Sequence, residues 1–418
     1  MNDVAQKKTE AEIKPIALPN DQVASGRSFG AEELELLKKV IESGTLNCTK
    51  GTVVRELEKR FAQKVGTPTS RTTTSGTAAI HAAVAAIDPE PGDEIITTPI
   101  TDMGGITPIL YQTAIPVFAD CDPLTYNVTA ETIAPKITRR TKAIMVTHLF
   151  GNPCDMDPIM ALAKKHSLPV LEDCAQAYGT TYNGKHVGAI GAIGCFSLQQ
   201  GKHMTTGEGG FVTTNDPGYE RRMRLFIDKA WGYGDPNPDH YFLAMNYRMT
   251  ELQGAVALAQ LEKLDGMVAQ RVKMADRLTA AIEGVRGLSA PKTTPGGKHT
   301  YWKYCVRIDP KKIRGGSVGF GDALKPLGVM SAPRYIQKLA FECEVLRDHR
   351  SFGKSEFPWK GPQRAGDPDV VYDKAAYPGS TEALADVVVL PWNERYTAEH
   401  VDFIAAVIRK AAQDLGQG

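Results

Sequence analysis

The sequence predicts an α/β protein built on a mainly parallel sheet, with a smaller second unit after it. Three observations carry this. Between residues 77 and 172, short runs rich in β-branched residues alternate with segments of helical period, the pattern that lays helices over a parallel sheet. A long helical pattern then spans Met249 to Glu283, and beyond residue 285 the texture changes to a mixture rich in Gly, Pro and Lys. Finally, 418 residues are more than one compact core ordinarily organises, so two domains are expected. The expected division is an N-terminal arm over 1–28, a large domain over 29–265 and a small C-terminal α+β domain over 266–418.

Each element follows from its local pattern. The arm is polar and carries Pro15 and Pro19, which favours extended chain. A helix is predicted from Gly30 to Glu42 by Leu34, Leu36, Leu37, Val40 and Ile41, and Gly44 supplies its C-cap. Val53 to Val65 reads as a second helix and Thr77 to Ile87 as a third. Strands are then expected at Glu94–Thr98, Ile115–Ala119, Ala143–Thr147 and Leu168–Glu172, with helices at Gly105–Gln112 and Asp157–His166 between them. Cys195–Leu198 reads as a further strand. In the second unit a strand is predicted at Tyr301–Ile308 and a closing helix after Thr397, a good N-cap. The stretch 350–380 holds Pro358, Pro362, Pro368 and Pro378 and reads as a long functional loop.

Composition narrows the function classes. Hydrophobic residues make up 42% and charged residues 23%, the balance of a globular protein. The net charge of +1 leaves no basic stripe, so neither nucleic acid nor a membrane surface is an expected partner. None of the seven cysteines is spaced as C-x-x-C, so no metal site or disulfide framework is expected; scattered thiols fit a reducing, cytoplasmic setting. The N-terminus lacks the apolar stretch of a signal peptide, and no apolar run is long enough to span a bilayer.

The chemistry gathers around residues 195–210. Lys202 lies between Ser197 and the glycine-rich run Thr205-Thr-Gly-Glu-Gly-Gly210. A lone lysine beside a turn is ordinarily a solvated surface residue. Here, however, the glycines suit a backbone that approaches something closely. Upstream, Thr74-Ser-Gly-Thr-Ala-Ala79 opens a helix, and small hydroxyl residues at a helix N-terminus make a phosphate site. Asp173 ends the apolar run Leu168-Pro-Val-Leu-Glu-Asp. In an α/β sheet, strand ends are where ligands bind. A lysine able to form an imine, a hydroxyl and helix start for a phosphate, and a carboxylate for a pyridinium nitrogen together point to pyridoxal 5'-phosphate. Asn246 precedes the long helix, and on local sequence alone it reads as that helix's N-cap.

At this point the chain resembles the DegT/DnrJ/EryC1/StrS family of sugar aminotransferases, pyridoxal phosphate enzymes of fold type I. The resemblance rests on Thr74-Ser-Gly-Thr-Ala-Ala-Ile-His81, His148-Leu-Phe-Gly-Asn-Pro-Cys-Asp155, Glu172-Asp-Cys-Ala-Gln-Ala-Tyr-Gly179, Phe196 to Gly210, Asn246-Tyr-Arg-Met-Thr-Glu-Leu-Gln253 and Leu390-Pro-Trp392. It implies a seven-stranded, mainly parallel sheet between helices. It implies Lys202 as the Schiff-base lysine and proton carrier, Asp173 as the partner of the pyridinium nitrogen, and Gln176 as a contact to the ring or its 3' oxygen. Gly76, Thr77 and Ser197 would bind the phosphate. Asn246 would reach the phosphate of the neighbouring subunit, so a homodimer with shared active sites is implied. The family places an aromatic residue over the cofactor face where Pro99-Ile-Thr-Asp-Met103 puts a methionine; a thioether can pack on a ring, and Met103 takes that place.

The implied reaction moves an amino group from L-glutamine or L-glutamate to a ketone. The segments Ala332-Pro-Arg-Tyr-Ile-Gln-Lys338, Phe352–Pro358 and Leu390–Tyr396 are similar to the branch that aminates cyclitols such as scyllo-inosose in aminocyclitol antibiotic pathways. Arg334, Tyr335 and the 350–380 loop would then line the substrate mouth. The alternative is a nucleotide-linked keto sugar of surface polysaccharide or deoxysugar pathways. In the dehydratase branch of the family histidine replaces the lysine; here Lys202 is present and His203 follows it, which favours amino transfer. A non-catalytic paralogue fits poorly with the full set of Lys202, Asp173, Ser197, Gly76 and Thr77. A nicotinamide oxidoreductase fits poorly too, because no G-x-G-x-x-G opens a helix after an N-terminal strand.

Overall fold

The computed structural model describes residues 13–417. The first part of the expected arm therefore lies outside the described residues. The large sheet has seven strands: β1 (Thr69–Thr73), β2 (Glu94–Thr97), β3 (Ile115–Phe118), β4 (Thr141–Thr147), β5 (Val170–Asp173), β6 (Ile193–Ser197) and β7 (Gly210–Thr214). Their order across the sheet is β1-β7-β6-β5-β4-β2-β3. All run parallel except β7, which is antiparallel to both β1 and β6. The central strands β5 and β6 are buried along their whole length, as parallel strands with both faces covered must be.

Two of these strands are absent from the sequence-based expectation. β1 reads Thr-Ser-Arg-Thr-Thr, with no apolar alternation to announce it. β7 begins inside the glycine run, so its Gly-Phe-Val-Thr-Thr was hidden by what looks like a turn. The same stretch thus does two jobs: Gly207 turns the chain at φ +83°, and Gly210 starts a strand paired with Ser197 and Thr73. A Cβ at Gly210 would meet the Ser75 carbonyl oxygen at 2.6 Å and the Phe196 carbonyl oxygen at 2.7 Å, so this crossing admits only glycine.

Because β1 and β4 to β6 share one direction, their carboxyl ends open on one edge of the sheet. The helix Gly76–Ile87 starts there, just after β1, and is buried from Ala78 onward. The helix Glu251–Ile282 runs unbroken for 32 residues. Its first half packs in the cluster of Phe61, Phe196 and Phe211. From Met274 it packs instead against the core of the second sheet, with Tyr304, Val306 and Trp392. Its N-cap is Thr250, whose hydroxyl accepts from the Gln253 N–H; Asn246, the local-sequence candidate for that cap, lies one turn too early.

The second sheet is antiparallel, in the order Leu288–Ser289, Lys303–Ile308, Val387–Pro391, Ala332–Pro333. Val387–Pro391 and the helix Gly316–Leu324 are further elements that the sequence-based assignment lacks. The chain from 339 to 377 does not hang free. It covers β3, the outer strand of the large sheet, where the Tyr372 hydroxyl donates to the Pro116 carbonyl at 2.8 Å. Arg364 pairs with Glu94 at 2.8 Å, and Arg140 with Asp367 at 2.8 Å. All seven cysteines are free thiols. Among the described residues, no helix is long and apolar enough to cross a membrane.

Candidate active site

A cavity of about 420 Å³ opens at the carboxyl edge of the large sheet. Its walls bring together Ser75, Gly76 and Thr77 from the start of the Gly76–Ile87 helix, Asp173 from the end of β5, Ser197 from the end of β6, and Lys202 from the loop that follows. Residues separated by more than a hundred positions in sequence therefore meet because the parallel strands end side by side. Gln176, Asp102, Gly104 and Gly105 also line it, Gly105 beside Asp173 and Gly104 beside Thr77.

One corner is tight. A Cβ at Gly76 would sit 2.6 Å from the Ser197 Cβ and 2.9 Å from its hydroxyl oxygen, so only glycine lets the helix start approach β6 this closely. A Cβ at Gly104 would meet the Thr77 hydroxyl at 2.5 Å. The first N–H groups of a helix have no partner inside it, and those of Gly76 and Thr77 open on this corner beside the Ser197 hydroxyl. Ser75 caps the helix by accepting from the Ala78 N–H at 3.0 Å. Backbone donors, two hydroxyls and the positive end of a helix make a cradle for a phosphate.

Asp173 is 5% exposed. Burial pushes its carboxyl up from the ordinary value, against the Ala175 N–H at 3.0 Å and the charge of Lys202. The Thr147 hydroxyl approaches its other oxygen at 3.4 Å. A carboxylate held in so dry a setting is stabilised by a cation brought to it, which is what a protonated ring nitrogen provides. The neighbouring Glu172 faces the other way. It accepts from the Gly188, Ile190 and Gly191 N–H groups and pairs with His148 at 3.0 Å. The His148 Nδ1 accepts from the Cys154 N–H at 3.0 Å, so its Nε2 carries the proton toward Glu172. Although Cys174 lies near this pair, both histidine nitrogens are engaged, and the cluster ties β4 to β5 beneath Asp173.

Gln176 is held in one orientation. Its Oε1 accepts from the Phe150 N–H at 2.7 Å, which turns the amide nitrogen to the Tyr335 hydroxyl at 3.2 Å. Lys202 faces the cavity, with its Nζ 4.3 Å from the centre of the Trp302 ring. Burial lowers its pKa to about 8, although Asp173 pulls the other way. His203 does not share the cavity: its Nε2 contacts the Thr300 carbonyl at 3.1 Å, and burial drives its pKa well below the usual histidine range.

Met103 lies outside the cavity wall, and Asn246, expected to serve the neighbouring subunit's phosphate, lies outside the cavity of its own chain. Met103 packs against the hydrophobic cluster that includes Ile100, Ile106 and Phe341, and the wall at that level is formed by its neighbours Asp102, Gly104 and Gly105. The aromatic surface of the cavity comes instead from Trp302 and Tyr335. Asn246 is exposed and outside the cavity of its own chain, bonded through its Oδ1 to the Arg248 N–H at 3.3 Å. Trp302 was missed because it reads as one more residue of a strand; nothing near it in sequence marks it. Arg334 is exposed and bonds Gln337, so of the two mouth residues Tyr335 alone reaches the wall.

The donors fit pyridoxal phosphate: a corner that a Cβ would fill suits the phosphate, a buried carboxylate suits the ring nitrogen, and a lysine amine lines the same cavity. Comparison with known proteins agrees. The DegT/DnrJ/EryC1/StrS aminotransferase family profile matches residues 27–358. The GDP-perosamine synthase of Caulobacter vibrioides is 38% identical over 294 residues, covering 70% of this chain and 78% of the relative. The spore coat polysaccharide biosynthesis protein SpsC of Bacillus subtilis is 37% identical over 68% of this chain and 75% of its own. Among solved structures, an aminotransferase from Psychrobacter cryohalolentis superposes with a TM-score of 0.82 at 31% identity, covering 93% of this chain and 98% of the other. The chain belongs to the DegT/DnrJ/EryC1/StrS aminotransferase family, and it is a pyridoxal phosphate-dependent enzyme of fold type I.

Proposed function

We propose that this family member transfers an amino group from glutamate or glutamine to the ketone of a nucleotide-linked sugar. The observation that carries the catalytic reading is the meeting of Lys202, Asp173 and the Gly76–Thr77–Ser197 corner in one cavity. The choice of a nucleotide-linked sugar is supported by the relatives, of which three are GDP-perosamine synthases at 38%, 37% and 32% identity. The cyclitol reading is kept as the second, because Tyr335 of the Ala332–Lys338 segment does form part of the cavity wall.

The cofactor, when bound, supplies an electron sink for the pair left behind when a carbon–hydrogen bond next to the amine breaks. The protein's own residues do the rest. Ser197, Thr77 and the first N–H groups of the helix hold the phosphate. Asp173 keeps a proton on the ring nitrogen, fixed by the Ala175 N–H. Lys202 Nζ would take the proton from the amine-bearing carbon of the donor and, in the second half-reaction, deliver one to the former ketone carbon of the acceptor. A pKa of about 8 leaves an appreciable share of the amine free to accept a proton near neutral pH. The Trp302 ring shields this amine from water. His203, buried against Thr300, takes no part.

Asn246 serves the phosphate of a second copy in this reading, which makes the enzyme a homodimer. Its support is the surface around Asn246, where Leu243 is 94% and Met245 52% exposed in the single chain. Screening the purified protein with each donor against nucleotide-linked keto sugars and free keto cyclitols tests the assignment. Turnover confined to free cyclitols would move the assignment to the second reading. A deoxy product formed without nitrogen transfer would overturn both.

A further inference from the structure

The loop carrying Lys202 belongs to no helix or strand, yet its carbonyl groups are held from two sides. Arg27, from the arm that precedes the first helix, donates from Nη1 to the Lys202 carbonyl at 2.8 Å and from Nη2 to the Gln200 carbonyl. Its Nε donates to the Asp21 carbonyl at 2.7 Å, so all three nitrogens of one guanidinium are committed to backbone. The carbonyl between them, that of Gly201, accepts from the Trp302 indole N–H at 2.7 Å. Three consecutive carbonyls are thus fixed, and the ring that fixes the middle one is also the ring over Lys202 Nζ.

The arm is itself anchored to the second sheet. Asp21 pairs with Lys303 at 2.9 Å, and Lys303 follows Trp302 in sequence. Burial alone would raise the Asp21 carboxyl, but Lys303 and Gln22 hold it below the usual range. The Gln200 side chain donates to the Asp21 carbonyl at 3.0 Å. The turn from Asn20 to Gly26 is so close that a Cβ at Gly26 would fall 2.3 Å from the Asn20 carbonyl carbon. Asp21 is 6% and Arg27 4% exposed. A buried guanidinium is costly unless every donor is satisfied, and here every nitrogen is spent on the placement of this loop and the arm that grips it.

We propose that Arg27 is a positioning residue for Lys202, and that Asp21–Arg27 form a strap that, together with Trp302, fixes the backbone of residues 200–202 and aims the lysine amine into the cavity. The proposal rests on the reading of Lys202 as the reactive amine. Its physical sense is that side-chain placement to within a fraction of an ångström governs such chemistry. Loosening the loop would let the Lys202 ammonium reach water and regain the ordinary behaviour of lysine. The charged groups that act on it are Asp173 at the end of β5, Asp102 in the cavity wall, Glu208 on its own loop and Lys303; of these Lys303 also feels the Arg27 charge, so Arg27→Lys, which keeps that charge, separates placement from electrostatics.

The test uses the full chain freed of cofactor. Brief acetic anhydride pulses across a pH series, read by residue-resolved mass spectrometry, give the pH midpoint of Lys202 acylation. A midpoint is insensitive to changes in reagent access. In the wild type it is expected near 8. In Arg27→Gln it is expected about one unit higher, which is a roughly tenfold smaller free-amine share at neutral pH. Arg27→Lys should recover part of the shift, since an ammonium can serve some of these carbonyls. Trp302→Phe, which keeps a ring but loses the indole donor, should shift the midpoint in the same direction and decides the matter if Arg27→Gln does not fold. Arg364→Gln breaks a buried arginine pair at the far edge of the sheet and should lower the melting temperature with the midpoint unmoved. A wild-type midpoint in Arg27→Gln, or an equal shift in Arg364→Gln, overturns the proposal. A wild-type chain that acquires no visible band of lysine-bound cofactor, with Lys202 unlabelled below pH 10, would instead overturn the reading on which the proposal rests.

Discussion

The corner where Gly76 meets Ser197 gives the sharpest test of the phosphate site, because one methyl group disturbs it. In Gly76→Ala the new Cβ would lie 2.6 Å from the Ser197 Cβ and 3.3 Å from its Cα. Carbon atoms in contact prefer about 3.5–4.0 Å, so one of the two must retreat by about 1 Å. Ser197 cannot retreat easily, since it is paired with Gly210 of β7 in a sheet buried on both faces. The helix start moves instead, taking the Gly76 and Thr77 N–H groups with it.

Two magnitudes separate stability from binding. Overpacking of this kind costs about 1–3 kcal/mol, while replacing a helical glycine by alanine returns up to about 1 kcal/mol. The fold should therefore lose about 0–3 kcal/mol and survive. Each hydrogen bond to a charged phosphate is worth about 1.5–3 kcal/mol, so losing one weakens cofactor affinity by roughly ten- to a hundredfold. The assay is equilibrium titration of the cofactor-free protein with pyridoxal phosphate, followed by visible absorbance, beside a thermal melt. Ser197→Ala should weaken binding similarly with little change in melting temperature. Wild-type affinity in Gly76→Ala would refute the placement of the phosphate.

Other outcomes follow from the same geometry. Lys202→Ala should lose the visible band of lysine-bound cofactor and all transamination, while thermal stability in the cofactor-free state stays level or rises because a buried cation is removed. Asp173→Asn keeps the size and the Ala175 contact but loses the charge; it should slow the donor half-reaction at least tenfold in stopped-flow absorbance without lowering the melting temperature. Gly266 is exposed inside the Glu251–Ile282 helix with nothing within 4 Å of an added Cβ, so Gly266→Ala should stabilise by about 0.5–1 kcal/mol with activity unchanged. Burial holds His81 to about 4 and His299 to about 3. The unfolded chain binds these protons near pH ~6.5, so the unfolded state carries more protons below that value. Stability measured by denaturant titration should fall as pH drops through about 6.5 and level off only near the two folded values.

Much of the large sheet was legible because its strands obey local rules. β2 to β5 are short, β-branched and separated by helical runs, and each is found within a few residues of its expected place. β1 and β7 obey no such rule: one is polar, and the other is masked by glycines that serve a close crossing. For the site, Lys202, Asp173, Gln176, Gly76, Thr77 and Ser197 were readable because each sits in a motif at a strand end or helix start, and one cavity gathers them all. Tyr335 was readable too, through the Ala332–Lys338 segment, whereas Trp302 and Arg27 act across long separations. Arg27 and Trp302 grip backbone carbonyls, and every residue has a carbonyl; a sequence carries no mark of which one will be gripped. Met103 shows the converse. Its segment reaches the cavity, but Met103 itself packs against the core cluster and its neighbours Asp102, Gly104 and Gly105 form the wall.

The adjacency of Lys202 and His203 is where sequence and structure bear together on the reaction. In sequence the two look nearly interchangeable, since either could reach a cavity from one loop. The fold removes that freedom. Arg27 and Trp302 fix residues 200–202, so the side chain of residue 202 faces the cavity and that of residue 203 is sent into the protein interior, against the Thr300 carbonyl. The identity of residue 202 alone therefore decides which base meets the substrate. Lys202→His should place an imidazole in the cavity and abolish the lysine-bound band, while cofactor binding through the phosphate corner persists in the same titration. His203→Gln should leave the band and the half-reaction rate within about twofold of wild type while lowering stability. If His203→Gln removed the band and left the melting temperature unchanged, residue 203 would be the one that faces the substrate, and the strap would not aim the loop as described.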